Sequence, residues 1–375
     1  MRSMLLVIAS FALTILCWGI YGPVLHNGQH DMSTIGGYAR MRPFVCVGLA
    51  YFLIGVLVPM AILGMKGEKG AWTVSGIVMS LIAGALGAGG ALGIILAFNF
   101  GGEPVFVMPL VFGGAPVVNS FMTIYLAGKM REIGPFFLAG LVMVIMGAVV
   151  VMTCAPNKPK APAAVAAPAV DAAAVDAAPP TKPSLGSRST SFALLLTSIA
   201  TAVVCWGAYG PTLHKGQAAM MQSRLRPFIC VGMAYFIIAV IVPNLYLVVS
   251  PEASVYNFSG TMWSLLAGAA GAFGALGIIM AFNFGGKPVF VMLLIFGGAP
   301  VVSTLITTKV NGLWGEIGPM FLAGMMLVIA GAAMVLVFAP KGHPPAPTPT
   351  PTPEPLPKYE PDPKEPSSPG EAGIA

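Results

Sequence analysis

The sequence predicts an all-α polytopic membrane protein with ten transmembrane helices, arranged as two inverted-topology five-helix repeats. The first observation is composition: only 9% of the residues are charged and 57% are hydrophobic, with a mean hydropathy of +0.85. Soluble domains carry roughly 25% charged residues. The other two observations are a series of long apolar runs and a second half of the chain that repeats the first. Lipid must therefore solvate most of this chain.

The apolar runs have the length of about 20 residues that a helix needs to cross a bilayer. They are continuously apolar and lack the two-residue alternation of barrel strands, which predicts helices. The amino-terminal run resembles a signal peptide, but a similar segment recurs internally, so we expect a retained span. The expected spans lie near 4–25, 44–64, 72–97, 104–127 and 134–154, then near 191–213, 228–250, 258–282, 288–308 and 318–340.

The duplication is clearest where Ala97–Val118 and Ala281–Val302 agree at 19 of 22 positions. Equivalent residues lie 188 positions apart as far as Gln29 and Gln217, and 184 apart from Arg42 and Arg226 onward. Duplication on this scale organises the whole chain. We expect a first repeat over 1–154, a Pro/Ala-rich linker over 155–189, a second repeat over 190–340 and a proline-rich disordered tail over 341–375.

Five spans are an odd number, so the second repeat must enter the membrane from the opposite side. Lysine and arginine accumulate in cytoplasmic loops, and the copies differ in that sense. Lys66 and Lys69 occupy a loop whose counterpart contains Glu252, and Glu103 is replaced by Lys287 in its counterpart. These differences predict cytoplasmic N- and C-termini with the linker outside, in a bacterial inner or plasma membrane.

Ten spans in two homologous, inverted halves of five, with both termini inside, resemble the drug/metabolite transporter superfamily. The resemblance covers about residues 1–340 without the linker and rests on architecture rather than on a substrate-diagnostic motif. The long linker and the proline-rich tail depart from typical members. The resemblance implies alternating-access transport of a small metabolite, without choosing among the sugar, nucleotide-sugar, amino-acid and drug branches.

Residues for a substrate site are suggested by "CWGIYGPVLHNGQ", which recurs as "CWGAYGPTLHKGQ". Gly22–Pro23 and Gly210–Pro211 predict a broken helix end in each copy. Interrupted segments at equivalent places in two inverted halves indicate a transporter binding site. The cavity candidates are Trp18, Tyr21, His26, Gln29, Trp206, Tyr209, His214 and Gln217. The alternative is an interfacial aromatic belt, with the histidines and glutamines reaching lipid headgroups.

Two further repeated motifs stand beside double glycines. Asn99 and Asn283, in "AFNFGG", either cap a helix end or contact substrate. Gly114–Pro116 and Gly298–Pro300 lie within spans, where they could form a kink or a gating hinge.

Arg42 and Arg226 open the second and seventh spans. They either extend to lipid phosphates or gate an anionic substrate. Glu132 and Glu316 begin the fifth and tenth spans, and we interpret them as the only carboxylates repeated at equivalent positions. Since no carboxylate lies mid-span, proton coupling would fall to His26, His214, Glu132 or Glu316.

These patterns favour a transporter of a small polar metabolite or drug-like solute, working by alternating access around a cavity between the repeats. The alternative is a structural or sensory membrane protein that acts through its proline-rich tail. No residue set for an enzyme, a metal or a cofactor is expected, and no basic patch for nucleic acid. The expected partners are the solute and membrane lipid; a homodimer and a proton or sodium coupling ion stay open.

Overall fold

The computed structural model describes residues 2–34, 38–126, 128, 130–156, 185–286, 288–338 and 340. Most of the expected linker and the whole expected tail lie outside the described residues. The described chain is helical, apart from turns and one isolated bridge between Ser33 and Ser254. The prediction of an all-helical polytopic protein is therefore confirmed over this part of the chain.

The spans follow one another with short connections. The first five are α1 (Arg2–Met32), α2 (Met41–Phe52) continued by a π-helical turn (Leu53–Leu57) into α3 (Val58–Lys66), α4 (Val74–Asn99), α5 (Pro104–Leu126) and α6 (Pro135–Thr153). The next five are α7 (Leu185–Ala219), α8 (Leu225–Tyr235) continued by a π-helical turn (Phe236–Ile241) into α9 (Val242–Val249), α10 (Phe258–Asn283), α11 (Pro288–Val310) and α12 (Pro319–Phe338).

Nine of these spans are long and apolar enough to cross a membrane over their described residues. The remaining helix, α11, contributes a shorter described apolar stretch, Leu294–Val310. These lengths fit a multi-pass membrane protein. The helix α7 begins at Leu185, within the stretch expected as linker.

The expected break at Gly22–Pro23 and Gly210–Pro211 is wrong, because α1 and α7 continue through both prolines. A proline inside a helix removes one backbone hydrogen bond and crowds the carbonyl four residues earlier. That carbonyl belongs to a glycine in each copy, Gly19 and Gly207. A complete break would expose further backbone groups to lipid at several kcal/mol each, so a continuous helix is the cheaper arrangement.

Helices of the two halves pack chiefly on each other rather than within their own half. The helix α1 packs on α10, and its equivalent α7 packs on α4. Contacts between α5 and α7 are matched by contacts between α11 and α1, while α6 packs on α12. The largest buried cluster accordingly draws residues from both halves. The two halves interleave and share one core.

The bundle has two ends, which we name after the glutamates found there. The span Met41–Lys66 contains 26 residues, which at 1.5 Å per residue separates its ends by about 39 Å. Glu252 lies beside the start of α2 and the end of α1. Glu68 lies beside the start of α8. The Glu252 end and the Glu68 end are thus opposite ends of the protein.

Candidate functional site

A small cavity lies between the two halves, midway along the spans. Its lining is made of four pairs of residues at equivalent positions: Trp18 and Trp206, Tyr21 and Tyr209, Tyr51 and Tyr235, Gly87 and Gly271. The first two pairs are related by the offset of 188 and the last two by the offset of 184. Each half therefore contributes one tryptophan, two tyrosines and one glycine to the same site.

The aromatic rings of the cavity form stacked pairs. Trp18 and Trp206 stack with ring centroids 6.1 Å apart and an interplanar angle of 21°. Tyr51 and Tyr235 stack at 3.6 Å and 2°. The edge of Tyr21 meets the ring of Trp206 at 5.8 Å. Such pairs contribute about 0.5–1.5 kcal/mol beyond the burial of their area, so the rings are held in a defined arrangement.

Glycines make room for the two indole rings. A Cβ atom at Gly90 would overlap the Trp206 ring, and one at Gly274 would overlap the Trp18 ring. The Trp18 indole N–H donates to the Gly271 carbonyl at 3.3 Å, and the Trp206 indole N–H donates to the Gly87 carbonyl at 3.2 Å. The glycine stripe of α4 and α10 thus lets backbone carbonyls approach and orient both tryptophans.

The cavity is aromatic and carries no charged side chain in its lining. The hydroxyls of Tyr21 and Tyr209 are buried and have no hydrogen-bond partner among the described residues. A buried hydroxyl without a partner costs free energy, so these two groups are the polar atoms of the cavity that could accept a further hydrogen bond. About 20 Å³ is open to the centre of a water molecule, close to the room that one water needs. In this conformation the cavity is nearly filled by its own rings.

The remaining residues of the repeated "CWG" stretch lie further along their helices, away from this cavity lining. The His26 ring packs edge-on against Phe98, with ring centroids 5.1 Å apart, and His214 packs in the same way against Phe282 at 6.0 Å. Gln29 is buried and donates to the Ile95 carbonyl at 3.1 Å. Gln217 is also fully buried. The structure therefore brings together Trp18, Tyr21, Trp206 and Tyr209, and leaves these histidines and glutamines between α1 or α7 and their neighbours.

The asparagines and the glycine–proline motifs lie outside this cavity lining as well. Asn283 is exposed at the end of α10 and donates to the Gln222 carbonyl at 3.2 Å; Asn99 is half-buried at the end of α4. The helices α5 and α11 continue through Pro116 and Pro300. Gly114 faces Val203 of α7, and Gly298 faces Ile15 of α1, so these two glycines allow close helix packing.

A buried carboxylate joins the two halves at the Glu252 end. The Glu252 side chain is 4% exposed. Its Oε1 accepts from the Arg40 backbone N–H at 2.7 Å and from Arg40 Nε at 3.2 Å, and its Oε2 accepts from the Met41 N–H at 3.2 Å and the Ser254 hydroxyl at 2.9 Å. Arg42 donates to the Glu252 carbonyl and to Ser254 Oγ. We call this cluster the Glu252 clamp.

The same arrangement occurs at the Glu68 end, with Glu68 also 4% exposed. Its Oε1 accepts from the Arg224 backbone N–H at 2.9 Å and from Arg224 Nε at 3.0 Å. Its Oε2 accepts from the Leu225 N–H at 3.1 Å and the Ser223 hydroxyl at 2.6 Å. Arg226 completes this Glu68 clamp with its guanidinium 3.6 Å from Oε2 and 3.4 Å from the Glu68 carbonyl.

The reading of Glu132 and Glu316 as the only repeated carboxylates is wrong, because Glu68 and Glu252 are also 184 positions apart. That offset was the signal that would have found them. Glu132 and Glu316 lie instead in short exposed helical turns, Met130–Glu132 and Trp314–Glu316. Arg42 and Arg226, expected to meet lipid or substrate, each approach a carboxylate of this chain.

Electrostatics at the Glu68 clamp favour the ionised carboxylate. Burial is the largest single effect on Glu68 and would raise its pKa, but the combined hydrogen bonds from Ser223, Arg224 and Leu225 outweigh it and hold the pKa below its usual value of 4.5. At the other end, burial raises the pKa of the Tyr256 hydroxyl, whose ring lies under Arg42 at 5.4 Å. Its equivalent, Trp72, lies under Arg226 at 5.8 Å.

Comparison with known proteins supports the fold. No family model matches the chain, and no curated protein matches it. One solved crystal structure, described only as that of a "protein", aligns with 89% of this chain and 97% of its own, with a TM-score of 0.53 and 17% identity. At this level of identity the similarity concerns the fold alone.

Proposed function

We propose that this protein is a membrane transporter that carries a small solute by alternating access, with the aromatic cavity as its substrate site. One observation carries the proposal: both halves supply equivalent residues to a single cavity midway along the spans. Transporters built from internal repeats bind their solutes near the bilayer midplane at the repeat interface. No catalytic role is assigned to this site.

The proposal includes two inverted repeats within the drug/metabolite transporter superfamily. The paired packing of α1 with α10 and α7 with α4 supports it. So does the position of the carboxyl ends of α1 and α7 at opposite ends of the bundle, beside the Glu252 clamp and the Glu68 clamp respectively. In a bacterial inner or plasma membrane with cytoplasmic termini, the Glu68 end faces the cytoplasm and the Glu252 end faces outward.

The cavity favours a solute without negative charge. Its lining offers the faces of indole and phenol rings and two unpartnered hydroxyls, and no arginine, lysine or histidine to neutralise an anion. Aromatic faces attract cations within about 6 Å of the ring centroid, and neutral aromatic solutes stack on them. We therefore propose an organic cation or a neutral aromatic solute carrying a hydroxyl, in preference to a phosphate or carboxylate.

Three probes of nearly equal shape test this choice: tyramine, a cation; 4-hydroxyphenethyl alcohol, which is neutral; and 4-hydroxyphenylacetate, an anion. Uptake of each into proteoliposomes containing the purified full chain is measured against empty liposomes. We expect protein-dependent uptake of the cation or the neutral probe, abolished in a Trp18→Ala, Trp206→Ala double variant. Trp263→Ala, which removes a partly exposed tryptophan outside the cavity lining, is the matched control. Preferential uptake of the anion would contradict the proposed substrate class, and equal uptake by the double variant would contradict the site.

A further inference from the structure

We infer that the Glu68 clamp and the Glu252 clamp are the two gates of the cavity, each of which closes one end of the protein. This inference rests on the proposed transport function and assigns its alternating closure to named residues. Both clamps are formed in this structure, and the cavity between them has room for about one water.

The first step of the argument is what each clamp joins. Glu252 follows α9 in the second half and binds the start of α2 in the first half. Glu68 follows α3 in the first half and binds the start of α8 in the second half. Each carboxylate therefore ties one half of the chain to the other at one end of the bundle, outside the cavity lining.

The second step is how much depends on a single carboxylate. The two oxygens of Glu252 accept four hydrogen bonds, from Arg40, Met41 and Ser254. Charge-assisted bonds of this kind are stronger than neutral ones. If the carboxylate moved away, two backbone N–H groups at the start of α2 and one arginine would lose their partner together. Such a cluster has two discrete arrangements, formed and released, as a gate requires.

The third step is that the gates are equivalent without being copied atom for atom. Ser254 lies two residues after Glu252, whereas Ser223 lies one residue before Arg224. The residues at the equivalent positions are Gly70 and Ala39, which have no hydroxyl. A serine hydroxyl thus binds the glutamate in each clamp, although the two serines come from positions that are not equivalent. This points to a common role for the two clamps.

The fourth step concerns the spans that the clamps hold. The π-helical turns Leu53–Leu57 and Phe236–Ile241 lie in the two spans whose starts the clamps bind, just after the cavity residues Tyr51 and Tyr235. Turns of this kind often mark functional sites in helices. Release of a clamp would therefore free the first part of a span that contains a π-helical turn beside the cavity.

The experiment measures access to the cavity from each side and needs no transported solute. Cys17, Cys46, Cys154, Cys205 and Cys230 are replaced by serine or alanine, and Tyr21→Cys places one thiol in the cavity. A membrane-impermeant trimethylammonium methanethiosulfonate is applied to right-side-out and to inside-out vesicles. The clamp variants are Glu252→Gln and Glu68→Gln. The control is Glu103→Gln, which removes a carboxylate at the Glu252 end that belongs to neither clamp.

We expect slow labelling from both sides in the parent and in Glu103→Gln. Labelling in Glu252→Gln should become about tenfold faster from the Glu252 side alone, and labelling in Glu68→Gln about tenfold faster from the Glu68 side alone, since each change biases a two-state element. The inference would be overturned if both variants were labelled faster from the same side, or if neither variant were labelled faster than the parent. If a glutamine variant fails to fold, the aspartate variant at that position, which keeps the charge but shortens the reach, should show a smaller change on the same side.

The gate inference and the transport proposal can be contradicted by different results. Side-specific labelling without uptake of any probe would leave the gates in place and remove the transport proposal. Uptake of a probe, with labelling rates unchanged in both clamp variants, would support transport and contradict the assignment of the clamps as gates.

Discussion

The rings of Tyr51 and Tyr235 lie 3.6 Å apart and 2° from parallel, which places two residues at equivalent sequence positions face to face at the centre of the protein. Both are almost completely buried. A face-to-face contact between equivalent residues is what a two-fold relation between halves would produce at its axis. The second and seventh spans thus meet where the cavity is formed.

Removing the hydroxyls of Tyr21 and Tyr209 should separate stability from solute binding. Tyr21→Phe and Tyr209→Phe each delete a buried hydroxyl that lacks a partner, so the midpoint of thermal unfolding in detergent should stay the same or rise. The loss of a hydrogen bond to the solute should weaken binding by about 1–3 kcal/mol, which is roughly fivefold to 150-fold in affinity. Uptake titrations of tyramine measure the second effect. Tyr246→Phe, at a half-exposed position, should change neither quantity, and unaltered tyramine affinity in both cavity variants would contradict the assignment.

Adding one methyl group beside each tryptophan should damage the cavity. Gly90→Ala and Gly274→Ala place a Cβ against the Trp206 and Trp18 rings, and overpacking of this kind costs about 1–3 kcal/mol. Lower thermal unfolding midpoints and altered tryptophan fluorescence should follow in both variants. Gly64→Ala, in a helix with nothing within 4 Å of the new Cβ, should be neutral or stabilising by about 0.5–1 kcal/mol. Equal effects in all three variants would show that the contact with the rings does not matter.

The Glu68 clamp should weaken in acid. The pKa of the Glu68 carboxyl lies below the usual 4.5, because the hydrogen bonds to this group together outweigh the effect of burial. The charged groups that face it are Arg224 and Arg226. A lowered pKa contributes stability that is fully present above the unfolded-chain value and is lost as pH falls through the folded value. Unfolding midpoints should therefore differ between the parent and Glu68→Gln at neutral pH, and the difference should shrink as the pH falls below 4.5. A difference that grows on acidification would give the opposite sign and contradict this.

The proposed orientation predicts the location of two reporters. An enzyme reporter active only in the cytoplasm should work when fused after Ala375 and fail when inserted near Ala173, since the second repeat enters from the opposite side. This orientation is predicted from the loops in which one copy has lysine and the other does not. Activity at Ala173 and silence at Ala375 would reverse the orientation and exchange the sides assigned to the two clamps.

Much of the fold follows from hydropathy, because a run such as Val74–Asn99 can satisfy its backbone in lipid only as a helix. Four of the cavity residues, Trp18, Tyr21, Trp206 and Tyr209, could also be predicted, since they recur at the offset of 188. Tyr51 and Tyr235, which recur at the offset of 184, were not among the candidates. The continuity of α1 through Pro23 could not, because local sequence does not show which neighbours accommodate a proline. The stacking of Tyr51 on Tyr235 also needed the three-dimensional arrangement.

The two clamps could not be predicted from the sequence. Glu68 stands between Lys66 and Lys69, where counting positive charges for topology draws attention away from the carboxylate. Its partners, Arg224 and Arg226, lie more than 150 positions away, and only the packing of the halves brings them together. The sequence shows that Glu68 and Glu252 are separated by the repeat offset of 184, but it does not show what each glutamate binds.

Because the halves interleave, helices made early in translation must wait for packing partners that are made late. Helix α1 ends at residue 32 and its main partner α10 begins at residue 258, a separation of 226 residues (258 − 32 = 226), which a ribosome needs about 10–45 s to translate at roughly 5–20 residues per second. During that interval the Thr14 hydroxyl and the Trp18 indole lack the Gly274 and Gly271 carbonyls that they bind in the finished protein. The newly inserted first half must wait in the membrane with its main packing surface uncovered. A nascent chain arrested at that stage would be a ready substrate for membrane quality control.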